Sequence, residues 1–197
     1  MTKKVAFLGL GVMGYPMAGW LSRNDYQVTV YNRTTVVAER WCEQYSGDLA
    51  TTASAAVVDA DIVFLCVGND QDVQEFVLAE QGILVGIKPG AILVDHTTTS
   101  ADLAKDLAVA ANAKDCTFID APVSGGQQGA ENGQLTVMCG GSVDDFAQVE
   151  GAIASFAKAV QLMGPVGSGQ PCKMVNQICI AGLVQGLAEG LNFAENA

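Results

Sequence analysis

Basic residues are scarce in this sequence: ten lysines and arginines stand against 21 aspartates and glutamates, a net charge of -11. A surface so acidic repels phosphate backbones and anionic lipid, so neither nucleic acid nor a membrane is expected as partner. Histidine is scarcer still. His96 is the only one, which excludes a histidine-rich metal site, and no metal is expected. The six cysteines (Cys42, Cys66, Cys116, Cys139, Cys172 and Cys179) show no metal-finger or thioredoxin spacing. They read as free thiols in a reducing, cytoplasmic setting. Charged residues make up only 16% and apolar ones 50%, a composition for one well-packed core with little room for disorder. Long unbroken apolar runs are missing as well. Val5–Leu8 after Lys3 and Lys4 could begin a signal peptide, but Gly9, Gly11 and Gly14 break it at once. Only the stretch near Ile178–Leu191 approaches the length of a membrane span. It carries Gln185 and Glu189 and reads better as a helix packed on protein.

What is present alternates regularly. Val5–Leu8, Val28–Tyr31, Ile62–Val67, Ala91–Asp95 and Thr117–Asp120 are short, rich in β-branched residues and bounded by Gly, Asp or Asn, as strands are. Between them Met13–Arg23, Thr35–Gln44, Ser54–Ala60, Asp70–Leu78 and Ala101–Asn112 have helical periodicity, the last with Ser100 as its cap. The pattern predicts an α/β, Rossmann-type, doubly wound and mainly parallel sheet. Leu135–Cys139, a helix over Val143–Phe156 and an edge strand at Val160–Leu162 extend it. Residues 1–163 are thus expected to form a nucleotide-binding domain. In residues 164–197 an aperiodic Gly/Pro loop precedes a long helix after Pro171, with Met174, Ile178, Ala181, Val184, Leu187 and Leu191 in one apolar stripe. Such a helix is expected to begin an all-helical second domain that is mostly absent.

Gly9-Leu10-Gly11-Val12-Met13-Gly14 lies between the first expected strand and helix. There a G-x-G-x-x-G loop makes a tight turn, lets pyrophosphate approach the backbone and presents free helix-start amides to its charge. At the end of the second strand an NAD site carries a carboxylate for the ribose 2′-hydroxyl; here stand Asn32, Arg33 and Thr34. Arg33 can fork onto a 2′-phosphate, so NADP is the expected cofactor, with NAD as the alternative. After the fifth strand, Ser124 with the amides of Gly125 and Gly126 can form a nest for a substrate carboxylate, or simply a tight turn. Lys173 and Asn176 are one helical turn apart, and a lysine beside a carbonyl that accepts hydride can donate a proton to the forming alkoxide. Taken alone, such a lysine reads as a solvated surface residue.

The ordered set of motifs reverses that reading. Gly9–Gly14 with Pro16-Met17-Ala18, Asp95 with Thr97 and Thr98, Asp120–Gly126, and Gly167–Gln177 together resemble the β-hydroxyacid dehydrogenase family. Its members include 3-hydroxyisobutyrate dehydrogenase, tartronate semialdehyde reductase and the glyoxylate/succinic semialdehyde reductases. The resemblance implies Lys173 as catalytic acid/base and Ser124–Gly126 as the grip on the substrate carboxylate. It implies Asn176 as a substrate-positioning residue, and Val67, Gly68 and Thr98 along the nicotinamide side of the cleft. Val67-Gly68-Asn69 departs from the Leu-Pro of many members. Hydride transfer between NADP(H) and a small 3-hydroxy acid or its semialdehyde is the implied reaction, in a homo-oligomer when full length. A nucleotide-binding module without turnover and a 6-phosphogluconate-dehydrogenase-like enzyme are the alternatives.

Overall fold

The computed structural model describes residues 3–197, so residues 1 and 2 of the expected first domain lie outside it. Six strands run parallel: β1 (Lys4–Leu8), β2 (Gln27–Tyr31), β3 (Asp48–Leu49), β4 (Ile62–Leu65), β5 (Ile92–Asp95) and β6 (Thr117–Asp120). Then β7 (Val123–Ser124), β8 (Leu135–Gly140) and β9 (Ala157–Gly164) follow, and the path through the sheet is β3-β2-β1-β4-β5-β6-β8-β7, with β9 also on β8. β8 is antiparallel to β6, and β9 is parallel to β8. The sheet is therefore mainly parallel, as the alternation of strands and helices predicts.

Strand residues divide by parity. Val5, Phe7, Ile62, Phe64, Ile92 and Val94 enter one core. Ala6, Leu8, Val63, Leu65 and Leu93 enter the other, on the opposite face. A period of two with both sets apolar is what makes these strands near-continuous hydrophobic runs. The helices α1 (Gly14–Arg23), α2 (Thr35–Gln44), α3 (Ala53–Val57), α4 (Asp70–Leu78), α5 (Ile83–Gly86), α6 (Ala101–Asn112), α7 (Gly126–Glu131) and α8 (Val143–Ile153) connect the strands. α6 shows why they form where they do. The Ser100 hydroxyl accepts the Leu103 N–H at 3.2 Å, and Leu103, Ala104, Leu107 and Ala111 recur on its buried face.

Several boundaries differ from the sequence reading. β4 stops at Leu65 rather than Val67, because the Val67 N–H leaves the ladder for the Thr97 hydroxyl at 3.0 Å. β9 takes in Gly164, which was expected in a loop, and α9 (Gly169–Asn196) starts before Pro171. A proline in a first turn gives up an N–H that has no partner there anyway. The apolar surface of α9 is broader than one stripe: Val175, Ile180, Leu183 and Phe193 are exposed beside Ile178, Val184, Leu187 and Leu191. By length and composition this helix could cross a membrane.

The chain runs from β1 outward to β2 and β3, then returns to place β4 on the other side of β1. The connections that leave the carboxyl ends of β1 and β4 thus run in opposite directions and open a crevice, the place where open α/β sheets bind ligands.

Candidate functional site at the carboxyl edge of the sheet

The first wall of the crevice is the glycine loop. Gly9 has φ +91°, and a Cβ there would collide with the Cys66 carbonyl oxygen. A Cβ on Gly14 would strike the carbonyl of Gly9, so this glycine lets α1 pack directly on the loop. Gly11 differs: none of the described residues comes within 4 Å of the position its Cβ would take. Packing among the described residues does not require glycine at 11, and the bare backbone there leaves room for a ligand to approach closely. Val12 is exposed, and in the first turn of α1 the Tyr15 N–H donates to the Gly11 carbonyl, the Met17 N–H to the Met13 carbonyl, and Pro16 has none. Val12, Met13 and Gly14 line the opening, and their N–H groups have no hydrogen-bond partner among the described residues. Leu10 serves otherwise. Its side chain is buried in the core and its N–H donates to Asn32 Oδ1 at 2.9 Å, so it is not free for a phosphate.

Asn32 therefore braces the loop, and it also donates to the Thr34 carbonyl at 3.1 Å. Thr34 stands exposed at the start of α2. Arg33 turns toward α4: its Nη2 lies 2.8 Å from Asp72, its Nη1 lies 3.5 Å from Glu75, and its guanidinium sits over the Phe76 ring. An open cavity of about 340 Å³ is lined by Gly9, Gly11, Asn32, Arg33, Gly68 and Asp72, among others.

A second cavity of about 270 Å³ adjoins it, sharing Met13, Cys66, Val67 and Gly68. His96, Thr97, Thr98, Val123, Gly126 and Lys173 complete its lining. Lys173 is 9% exposed, and burial lowers its pKa from the ordinary lysine value. Its Nζ donates to Gln177 Oε1 at 2.9 Å, and Asn176 Nδ2 donates to the same oxygen at 3.1 Å. Lys173 and Asn176, one helical turn apart as expected, are thus bridged by Gln177, and Asn176 lies outside the cavity lining. Of the Ser-Gly-Gly loop only Gly126 reaches this cavity. Ser124 pairs with Thr136 in the sheet, and Gly125 lines a separate, open depression with Gln128, Asn132 and Lys158. Both glycines have positive φ, +130° and +61°, which a Cβ would strain. A groove of about 460 Å³ between Lys4, Gln27, Asp48 and Asp59 is larger, but it lies at the amino edge, away from these loops.

Lys173 is carried into place by residues to which the sequence reading gave no role. Asp120, fully buried at the end of β6, accepts the Gly167 N–H at 2.6 Å and the Gln170 N–H at 3.0 Å. Gln170, equally buried, accepts from the Thr99 N–H at 3.0 Å and donates to the Thr97 carbonyl at 2.8 Å. The neighbouring Asp95 accepts the Thr97 N–H at 2.9 Å and lies in register beside Asp120. Burial, together with the Asp120 charge, outweighs this hydrogen bond and pushes Asp95 up to about 7; Asp120 is raised by burial too. His96 is pushed down to about 4 by burial, its Nδ1 2.8 Å from the Ala121 carbonyl. A buried acid closing an apolar strand was a readable sign that Asp120 needs donors. Gln170 lies in an aperiodic segment and gave none.

Two adjoining cavities, bare glycine backbone and the amides of Val12, Met13 and Gly14 fit an elongated dinucleotide with a phosphate middle. Residues 4–164 match the family of the NAD binding domain of 6-phosphogluconate dehydrogenase. An oxidoreductase of Shewanella frigidimarina is 58% identical over 194 residues, 98% of this chain and 67% of that protein. The chain belongs to the β-hydroxyacid dehydrogenase family. Among solved structures, Mycobacterium tuberculosis 3-hydroxyisobutyrate dehydrogenase with L-serine superposes with TM-score 0.93 at 27% identity. The match covers all of this chain and 66% of that one, so α9 has its counterpart there. Psf3, in complex with NADP+ and 2-OPP, superposes with TM-score 0.86 at 28% identity over 95% of this chain and 68% of that one. The chain spans 67%, 64% and 58% of the length of three curated relatives it matches.

Proposed function

We propose that this chain is the cofactor-binding part of an oxidoreductase that moves a hydride between NADP(H) and a small 3-hydroxy acid or its semialdehyde. The observation that carries this reading is the buried Lys173 in the same cavity as Val67, Gly68, Thr98 and Gly126, next to the glycine loop. The nicotinamide, when bound, supplies or accepts the hydride. The protein's share is to hold the carbonyl and to manage one proton. In reduction Lys173 Nζ gives a proton to the oxygen that becomes alkoxide; in oxidation it takes the proton back. Partial desolvation brings its pKa toward the working range of such a group, and Gln177, which adds no charge, holds its nitrogen. Gly126, with Ser124 and Gly125 behind it, would receive the substrate carboxylate on backbone amides. Asn176 would position the substrate from the next turn of α9.

Arg33 supports the choice of NADP: it is a cation at the rim of the first cavity, where an NAD site has a carboxylate. Residues 1–163 would form the nucleotide-binding domain and 164–197 the start of a helical second domain. The exposed apolar surface of α9 fits that domain, or a second subunit of a homo-oligomer. Six free cysteines fit a reducing, cytoplasmic setting. The same bare helix favours a second reading, a nucleotide-binding module without turnover. NADPH oxidation with succinic semialdehyde, glyoxylate and methylmalonate semialdehyde separates the two. Turnover that Lys173→Ala abolishes supports the enzyme; NADPH binding without turnover supports the module.

A further inference from the structure

Arg33 stands at the cavity rim but is already paired there. Its guanidinium is clasped on the α4 side by Asp72 at 2.8 Å and Glu75 at 3.5 Å, with Phe76 beneath it. The clasp is built locally. Asp70 and Asp72 both lie in the first turn of α4, where carboxylates are favoured. Asp70 is committed to the Ser100 hydroxyl at 2.6 Å, which leaves Asp72 for Arg33. Asp72 can fold inward because residue 68 is glycine: a Cβ there would collide with the Asp72 carboxylate. The Asp72 side chain is only 19% exposed against 54% for Arg33, and both line the cavity bounded by the glycine loop. The acid is therefore the more firmly placed partner.

We propose that Asp72 competes with the cofactor for Arg33 and so sets the selectivity between NADP and NAD; this rests on the reading of Arg33 as the 2′-phosphate contact. A 2′-phosphate arriving at Arg33 must displace Asp72 from Nη2 or share the guanidinium with two carboxylates that repel it. A 2′-hydroxyl brings no charge and can donate to Asp72. The same pair that admits the phosphate thus lowers its advantage.

The test is calorimetric binding of 2′,5′-ADP and 5′-AMP, which probe the adenosine half without the nicotinamide pocket. On the magnitude of partly exposed ion pairs, Asp72→Asn should tighten 2′,5′-ADP about two- to fivefold and change 5′-AMP less than about 1.5-fold. Glu75→Gln, acting across the longer contact, should shift binding the same way by less. Both variants should keep the Asn69 cap of α4, which uses the backbone N–H of residue 72. A double-mutant cycle with Arg33→Ala supplies the readout that a merely structural effect would not move, since the gain should vanish in that background. An equal gain without Arg33 would make Asp72 a plain repelling charge and overturn the competition. Should the wild type prefer 2′,5′-ADP through Arg33 while Asp72→Asn changes nothing, the competition falls and the cofactor reading stands. If Arg33→Ala has no selective effect on 2′,5′-ADP, both fall.

Discussion

Replacing Asp120 with alanine should release the long helix from the sheet. The carboxylate is fully buried and receives two backbone N–H groups, Gly167 at 2.6 Å and Gln170 at 3.0 Å. Alanine leaves both donors without an acceptor, at ~1–3 kcal/mol for each buried unsatisfied group. Against that, removing a carboxylate whose charge burial disfavours returns part of its desolvation cost. The net loss expected is about 2–4 kcal/mol, read as a lower denaturation midpoint at unchanged slope. Asp120→Asn should lose less, because its amide oxygen still accepts one N–H while its NH₂ faces the other. Hydrogen exchange gives the local readout. Protection should fall at Gly167 and Gln170 before it falls in β1 or β4, and reduction by the same variant should drop as Lys173 loses its fixed position. A stability loss under about 0.5 kcal/mol with unchanged exchange at 167–173 would refute the clamp, since that is the range of an ordinary surface substitution.

Gly9→Ala should cost roughly 2 kcal/mol or more in chemical denaturation, from the φ of +91° and the collision with the Cys66 carbonyl. A neutral result would mean the loop can rearrange. Lys173→Met should lower the rate of semialdehyde reduction by about a hundredfold or more while NADPH binding, measured by fluorescence, stays within about twofold. Loss of both together would point to folding rather than chemistry. Stability against pH carries two opposed signs. Asp95 is raised from 3.8 to about 7, so its contribution is fully present below 3.8 and is lost as pH rises through about 7. His96 is lowered from 6.5 to about 4, so its contribution is present above 6.5 and is lost as pH falls through about 4. Between these limits the slopes oppose each other. Asp95→Asn should leave only the histidine term of this pair, making stability rise more steeply from pH 4 to 6.5 in urea melts; an unchanged slope would sink this account of Asp95.

The sequence by itself determined the strand–helix alternation, the glycine loop and the capped start of α6. These are local matters: a period of two or of 3.6, a positive φ and a hydroxyl before a helix each act within a few residues. It also singled out Lys173, though only through the order of distant motifs, because nothing local separates a buried lysine from a solvated one. Only the tertiary structure decided what Arg33, Leu10 and Asn32 touch. Arg33 meets Asp72 and Glu75 across 39 and 42 positions of chain, and the Leu10 amide is taken by a side chain 22 positions away. Asp120 and Gln170, 50 positions apart, meet because β6 ends beside the segment that opens α9. Partners so distant are chosen by the sheet order and by the need of each buried polar group for a counterpart. Neither leaves a pattern in the neighbouring residues from which the partner could be named.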